Sequence, residues 1–305
     1  MHRLASQIKR PSAPTRKASY FSLTRFIRAL FISMLCLNFY SFTHAHTVKT
    51  RQDAVKDDNT TEQRKALTIA VAANFHNTLK KLTDAYPGPQ KFVLVTASSG
   101  QLYHQITQGA PYDVFFSATP DYINALQNAN LVATDFAPLQ FAIGRLALWA
   151  PSADNPKQIR QWLQNPAKRN VKLALANPEL APFGRAALQT LKHLGLAKTW
   201  KGRIVRAMNA NQTYHFVFSR TVMMGFTSLA HLKQKNISPQ QYWIVPDNHH
   251  APIRQQGVIL KRSQSSSAAQ QFLAYLTETN SKRIITNAGY QLSNTSPRLT
   301  PSHDH

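Results

Sequence analysis

At 305 residues the chain has room for two modest domains or one large one. Its composition, 43% hydrophobic and 16% charged, is globular and excludes a chain too polar to build a core. Thirty-six Lys and Arg against 13 Asp and Glu give a net charge of +23, which favours anionic partners and leaves little material for paired-carboxylate chemistry.

Residues 1–45 carry seven basic residues (Arg3, Lys9, Arg10, Arg16, Lys17, Arg25 and Arg28) and no acid. The apolar run Ala29–Leu37 follows, then the small residues Thr43 and Ala45 three positions and one position before a cleavage point. This is the pattern of a secretory signal peptide, and the run is too short for a membrane span. Losing those seven basic residues still leaves +16. The single cysteine, Cys36, lies in the same run, so the exported chain is expected to have no disulfide, thiol nucleophile or thiolate ligand. Residues 46–66 open with "HTVKTRQDAVKDDNTTEQRK", have no hydrophobic period and read as a flexible linker.

From Leu67 short apolar runs alternate with helical periods. Strands are expected at Leu67–Ala72, Phe92–Ala97, Val114–Ser117, Phe141–Trp149, Lys172–Ala176, Met223–Thr227, Tyr242–Val245 and Gly257–Leu260. Helices are expected near 75–86, 99–108, 119–129, 183–194, 211–218, 228–234 and 266–287. This alternation predicts an α/β architecture with parallel sheets. No internal repeat is visible, and residues 293–305 read as a disordered tail.

Four of these helices start just after a strand or loop, at Asn74, Ser98-Ser99, Ala181-Pro182-Phe183 and Asn209-Ala210. Such joints put free backbone N–H groups and the positive end of a helix dipole at the carboxyl edge of a sheet, where anions bind. Ser and Asn are also ordinary helix caps. Four joints together in a basic exported chain shift the balance towards an anion site. None of the four contains Asp or Glu, so a fully deprotonated dianion suits them better than phosphate, which keeps a proton at neutral pH.

The blocks "VAANF", "ASSGQLYHQITQGAPYDVFFSA", "FAIGRLALWAP", "LALANPELAPFGRAALQTLKHLGL" and "NANQTYHFVFSRTVMMGFTSL" resemble, in order and spacing, the molybdate-binding proteins of ABC importers. The resemblance runs from about Leu67 to Gly289. It implies a two-lobed periplasmic binding protein of type II. Each lobe would be a mixed or parallel sheet flanked by helices, with the ligand in the interlobe cleft. Residues 67–143 and 241–292 would form the first lobe and 144–240 the second, with two crossings between them.

Carried over residue by residue, the resemblance puts Asn74 at the first polar ligand position and Ser98 or Ser99 at the second, with Ser99 preferred. Backbone N–H groups would come from Phe183 and Ala210. Ser228 stands where many members carry a tyrosine donor, and many have serine in place of Asn74. The implied activity is non-enzymatic capture of molybdate or tungstate in the periplasm and delivery to a membrane permease. No cofactor and no nucleic acid are implied, and a monomer is expected.

Competing readings rest on less. Sulfate, thiosulfate or an organic sulfonate would suit the same donors, with Arg185 adding charge for a larger solute. A secreted hydrolase lacks Gly-x-Ser-x-Gly, and a nucleic-acid binder would need its scattered charges gathered. A cation site would have to use His249-His250 or the terminal His303 and His305.

Overall fold

The computed structural model describes residues 66–166 and 171–292. The expected signal peptide, the linker up to residue 65 and the tail from 293 lie outside the described residues.

Strand β1 (Leu67–Ala72) runs parallel to β2 (Phe92–Ala97) on one side and to β3 (Val114–Ser117) on the other. Helix α1 (His76–Asp84) joins β1 to β2, α2 (Ser99–Thr107) joins β2 to β3, and α3 (Pro120–Asn128) follows β3. Three antiparallel strands complete this sheet: β4 (Leu139–Gly144), β10 (Ile253–Ile259) and β11 (Gln291–Leu292), giving the order β11-β4-β10-β3-β1-β2.

The second sheet repeats the plan. Strand β6 (Leu173–Ala176) lies parallel to β7 (Ile204–Ala207) and β8 (Met224–Ser228). Helices α5 (Pro182–His193) and α6 (Ala210–Phe218) make its crossovers. Strands β5 (Leu146–Trp149) and β9 (Tyr242–Ile244) pair antiparallel to close the order β7-β6-β8-β5-β9. The remaining helices are α4 (Pro156–Gln164), α7 (Leu229–Gln234), α8 (Ser266–Tyr275) and α9 (Thr279–Asn287).

Both sheets are mixed rather than parallel throughout. The run expected as one strand over Phe141–Trp149 is two, split at Arg145, where the chain leaves one sheet for the other. The return falls between β9 and β10. Residues 241–292 therefore do not all belong with the first sheet, because β9 pairs with β5 of the second. A three-residue strand offers no pattern that says which sheet it will join. The single helix expected over 266–287 is broken between Tyr275 and Thr279, where Glu278 takes an extended conformation.

Side-chain alternation explains why both faces of each sheet are covered. Leu67, Ile69 and Val71 of β1 face a core shared with Phe75, Leu79 and Leu82 beside α1 and with Phe272 and Leu273 of α8. Ala70 faces the other way, onto Leu102 and Ile106 of α2 and Ile123 and Leu126 of α3. In the second sheet Leu146, Leu148, Leu173 and Leu175 pack with Trp200 and Leu191, while Ala147, Trp149 and Ala174 pack with Tyr214 and Val217. Phe218 of α6 stacks on Tyr214 at 5.8 Å yet is 67% exposed.

Candidate anion site at four helix starts

The first two strand-to-helix joints of each sheet meet. Ala72 ends β1, Ala73 and Asn74 follow it, and Ser98 and Ser99 follow β2. Across from them Ala181, Pro182 and Phe183 follow β6, and Asn209 and Ala210 follow β7. Together they line a cavity of about 10 Å³, and none of the lining side chains is ionisable. The structure thus gathers Asn74, Ser98, Ser99, Phe183 and Ala210 at one point, although they are spread over more than a hundred positions of sequence.

Each joint is seated by its own packing. Phe75 is fully buried, with its ring 4.7 Å from that of Phe141 and edge-on to Tyr290 at 5.5 Å, so the turn after β1 is pinned from below. Its backbone closes through the Phe75 N–H donating to the Ala72 carbonyl at 2.8 Å. At α5 the helix start lies directly on the end of β6. A Cβ on Gly184 would sit 2.0 Å from the Ala176 carbonyl oxygen, so only glycine permits this approach. At α6 the Asn209 side chain accepts from the Gln212 N–H at 3.0 Å, and the Thr227 hydroxyl donates to the Ala210 carbonyl at 3.0 Å.

The two serines differ in what remains free. Ser98 is the cap of α2. Its hydroxyl donates to the Gln101 side-chain oxygen at 2.8 Å and accepts from the Gln101 N–H at 3.3 Å, a capping box that uses its hydrogen. Ser99 accepts from the Ala118 N–H at 3.0 Å and keeps its own O–H as a donor. Among the described residues, no group accepts from the backbone N–H of Asn74, Ser99, Phe183 or Ala210.

Asn74 departs from expectation. Its side chain does not cap α1, whose N-cap position is Phe75 with no side-chain bond. The amide nitrogen instead donates to the Gln255 side-chain oxygen at 2.8 Å and to the Tyr290 hydroxyl at 3.2 Å. Tyr290 returns a bond to the Asn74 carbonyl at 2.7 Å, and burial raises its phenol pKa well above the usual value. Two buried acceptors behind the joint outcompete the helix end. Gln255 and Tyr290 are residues that the sequence reading passed over. Gln255 lies in the polar run "RQQ", yet it is only 1% exposed, and no local pattern marks it.

Ser228 is not part of the cavity. It ends β8, the third strand of its parallel trio, and caps α7 by accepting from the His231 N–H at 3.2 Å. Arg185 is engaged by Asp121 at 2.5 Å rather than aimed at the cavity. Asp113, immediately before β3, accepts from the Thr68 N–H and the Ser263 hydroxyl. His249 stacks on His193 at 4.3 Å, and among the described residues no group of three or more His, Cys, Asp or Glu is placed to hold a metal ion.

Two mixed α/β sheets joined by two crossings, with a small donor-lined cavity between their helix starts, define a two-lobed solute-binding protein. The chain belongs to the family described as bacterial extracellular solute-binding protein, which it matches over residues 67–291, and it is a binding protein rather than an enzyme. It is 30% identical over 230 residues to the molybdate-binding protein ModA of Azotobacter vinelandii, covering 73% of this chain and 89% of the relative. The ModA protein of Rhodobacter capsulatus is likewise 30% identical over 225 residues, covering 72% and 86%. The solved structure of the Azotobacter vinelandii periplasmic molybdate-binding protein superposes with a TM-score of 0.68 at 34% identity, covering 74% of this chain and 99% of that one. The sulfate-binding protein SubI of Mycobacterium tuberculosis shares the fold alone, with a TM-score of 0.60 at 10% identity.

Proposed function

We propose that this protein captures a tetrahedral oxyanion, molybdate or tungstate, in the periplasm and delivers it as a monomer to an ABC permease in the inner membrane. The observation that carries this reading is the cavity lined by four helix starts with free N–H groups and no ionisable side chain. The names of the molybdate-binding relatives support it.

A deprotonated dianion offers only acceptors, and this site offers donors. The backbone N–H groups of Asn74, Ser99, Phe183 and Ala210 and the hydroxyl of Ser99 each take a share of the charge. Being fixed by the fold, they need little reorganisation on binding, and the helix dipoles add to them. Asn74 acts through its main chain, with its amide held by Gln255 and Tyr290. Ser98 shapes the joint as a cap. Ligand contacts from both lobes favour the shut form, which is the form the permease would recognise. The positive net charge steers the anion without contributing to the site.

The test is calorimetric titration with molybdate, tungstate, sulfate, thiosulfate and phosphate. Tight binding of the first two, with phosphate weak for want of an acceptor, is expected. Sulfate binding more tightly than molybdate would replace the ligand, and no binding to any of the five would remove the transport reading.

A further inference from the structure

Between the lobes lies a second set of contacts that no ligand mediates. The Gly100 N–H, in the first turn of α2, donates to the Leu180 carbonyl at 2.9 Å. The Tyr122 hydroxyl, on α3, donates to the Glu179 carbonyl at 2.8 Å. Both donors belong to the lobe of the first sheet. Both acceptors are consecutive carbonyls in the β6–α5 turn of the other lobe, immediately before the joint that presents the Phe183 N–H.

The fit at this point is specific. A Cβ on Gly100 would lie 2.7 Å from the Tyr122 hydroxyl and 2.9 Å from the Leu180 Cα, so the approach requires a residue with no side chain. The Tyr122 ring rests against Tyr103 of α2, with centroids 5.2 Å apart. Burial raises its phenol pKa, so the hydroxyl stays a donor at neutral pH. The Arg185–Asp121 ion pair spans the same gap, but both side chains are well exposed and water screens them.

We propose that Gly100 and Tyr122 form a clasp on the 179–180 turn that holds the lobes shut independently of the ligand and so sets how slowly the ligand leaves. The clasp rests on the binding reading above for its ligand, but its mechanical part does not. It aligns the Phe183 N–H without touching the anion, which makes Gly100 and Tyr122 positioning residues. Because it favours the shut form for any occupant, it lengthens residence without choosing between anions.

Tyr122→Phe removes one hydrogen bond and keeps the ring packing. Molybdate release, followed by stopped-flow fluorescence, should speed up about five- to tenfold. The ratio of molybdate to sulfate affinity should stay unchanged, whereas a damaged pocket would alter it. Small-angle scattering of the ligand-free protein should give a larger radius of gyration for Tyr122→Phe than for wild type. Gly100→Ala should give the same expanded form with its circular dichroism unchanged, because the Leu180 backbone across the gap cannot give way, whereas the Tyr122 hydroxyl in its own lobe is a side-chain tip that can shift. A Tyr122→Phe protein that releases molybdate at the wild-type rate would overturn the clasp. Should wild type bind no oxyanion at all, the transport reading fails separately, and an unchanged ligand-free radius in both variants would then overturn the clasp.

Discussion

At the scale of single residues, the site separates groups that look alike in sequence. Ser98 and Ser99 are neighbours, but only Ser99 keeps a hydroxyl hydrogen free for a ligand. Ser99→Ala should therefore weaken oxyanion binding by about 2 kcal/mol, roughly 30-fold in affinity, read by titration. Ser98→Ala should instead cost about 1 kcal/mol of folding stability through its lost cap, read by denaturant melting, with a much smaller effect on binding. His231 carries a different prediction. It is 5% exposed beside Tyr214, and burial, then Lys235 and His215, hold its pKa at about 4 against an ordinary 6.5. Below pH 6.5 the unfolded chain binds a proton at this ring that the folded one refuses. Stability is thus full above 6.5 and falls as pH drops towards 4, by up to about 3 kcal/mol. His231→Asn should flatten that part of a stability profile measured by urea titration between pH 4 and 7.

Among the elements, the joints depend on close contacts between helix starts and strand ends. Gly184→Ala should cost on the order of 3 kcal/mol or more, because its Cβ would meet the Ala176 carbonyl and push α5 off the end of β6. The melting point should fall and binding should weaken with it, since the Phe183 N–H moves with the helix. Much of this level is legible in the sequence. Strands β1, β2 and β3 stand where the apolar runs predict them: β1 and β3 are almost wholly buried, and β2, at the sheet edge, is half-buried yet still an unbroken apolar run but for Thr96. Strand β7 was missed because "IVRA", an edge strand of four residues of which only Ala207 is buried, has no apolar run. Helix α4 was missed although its signals were present: Asn155 as cap, Pro156 in the first turn, and Ile159, Trp162 and Leu163 on one face. The four joints were legible as a group because helix-start chemistry is local. The turning of the Asn74 amide to Gln255 and Tyr290 was not, because those partners lie 181 and 216 residues away.

For the molecule as a whole, the two lobes follow one plan that the sequence hides. Each has a parallel trio whose first two strands feed helices into the cleft, β1 and β2 in one lobe and β6 and β7 in the other. Ser228 falls outside the cavity lining for that reason, since it ends the third strand of its trio. With no titratable side chain in the lining, affinity for a permanent dianion should stay within about twofold between pH 6.5 and 8.5 by titration, as expected where only neutral dipoles hold the charge. A steep change in that range would mean that an ionisable group reaches the ligand.

The cavity's size carries a last consequence. Its volume is about 10 Å³, room for about one water molecule, so an ion seated there cannot keep a full hydration shell. What enters exchanges most of its water for the four joints. For ions of equal charge the cost of losing that water rises as the radius falls, because water holds the smaller ion more tightly. A rigid ring of dipoles that offered both ions equal contacts would thus still favour the larger, molybdate over sulfate, through what each gives up on leaving water.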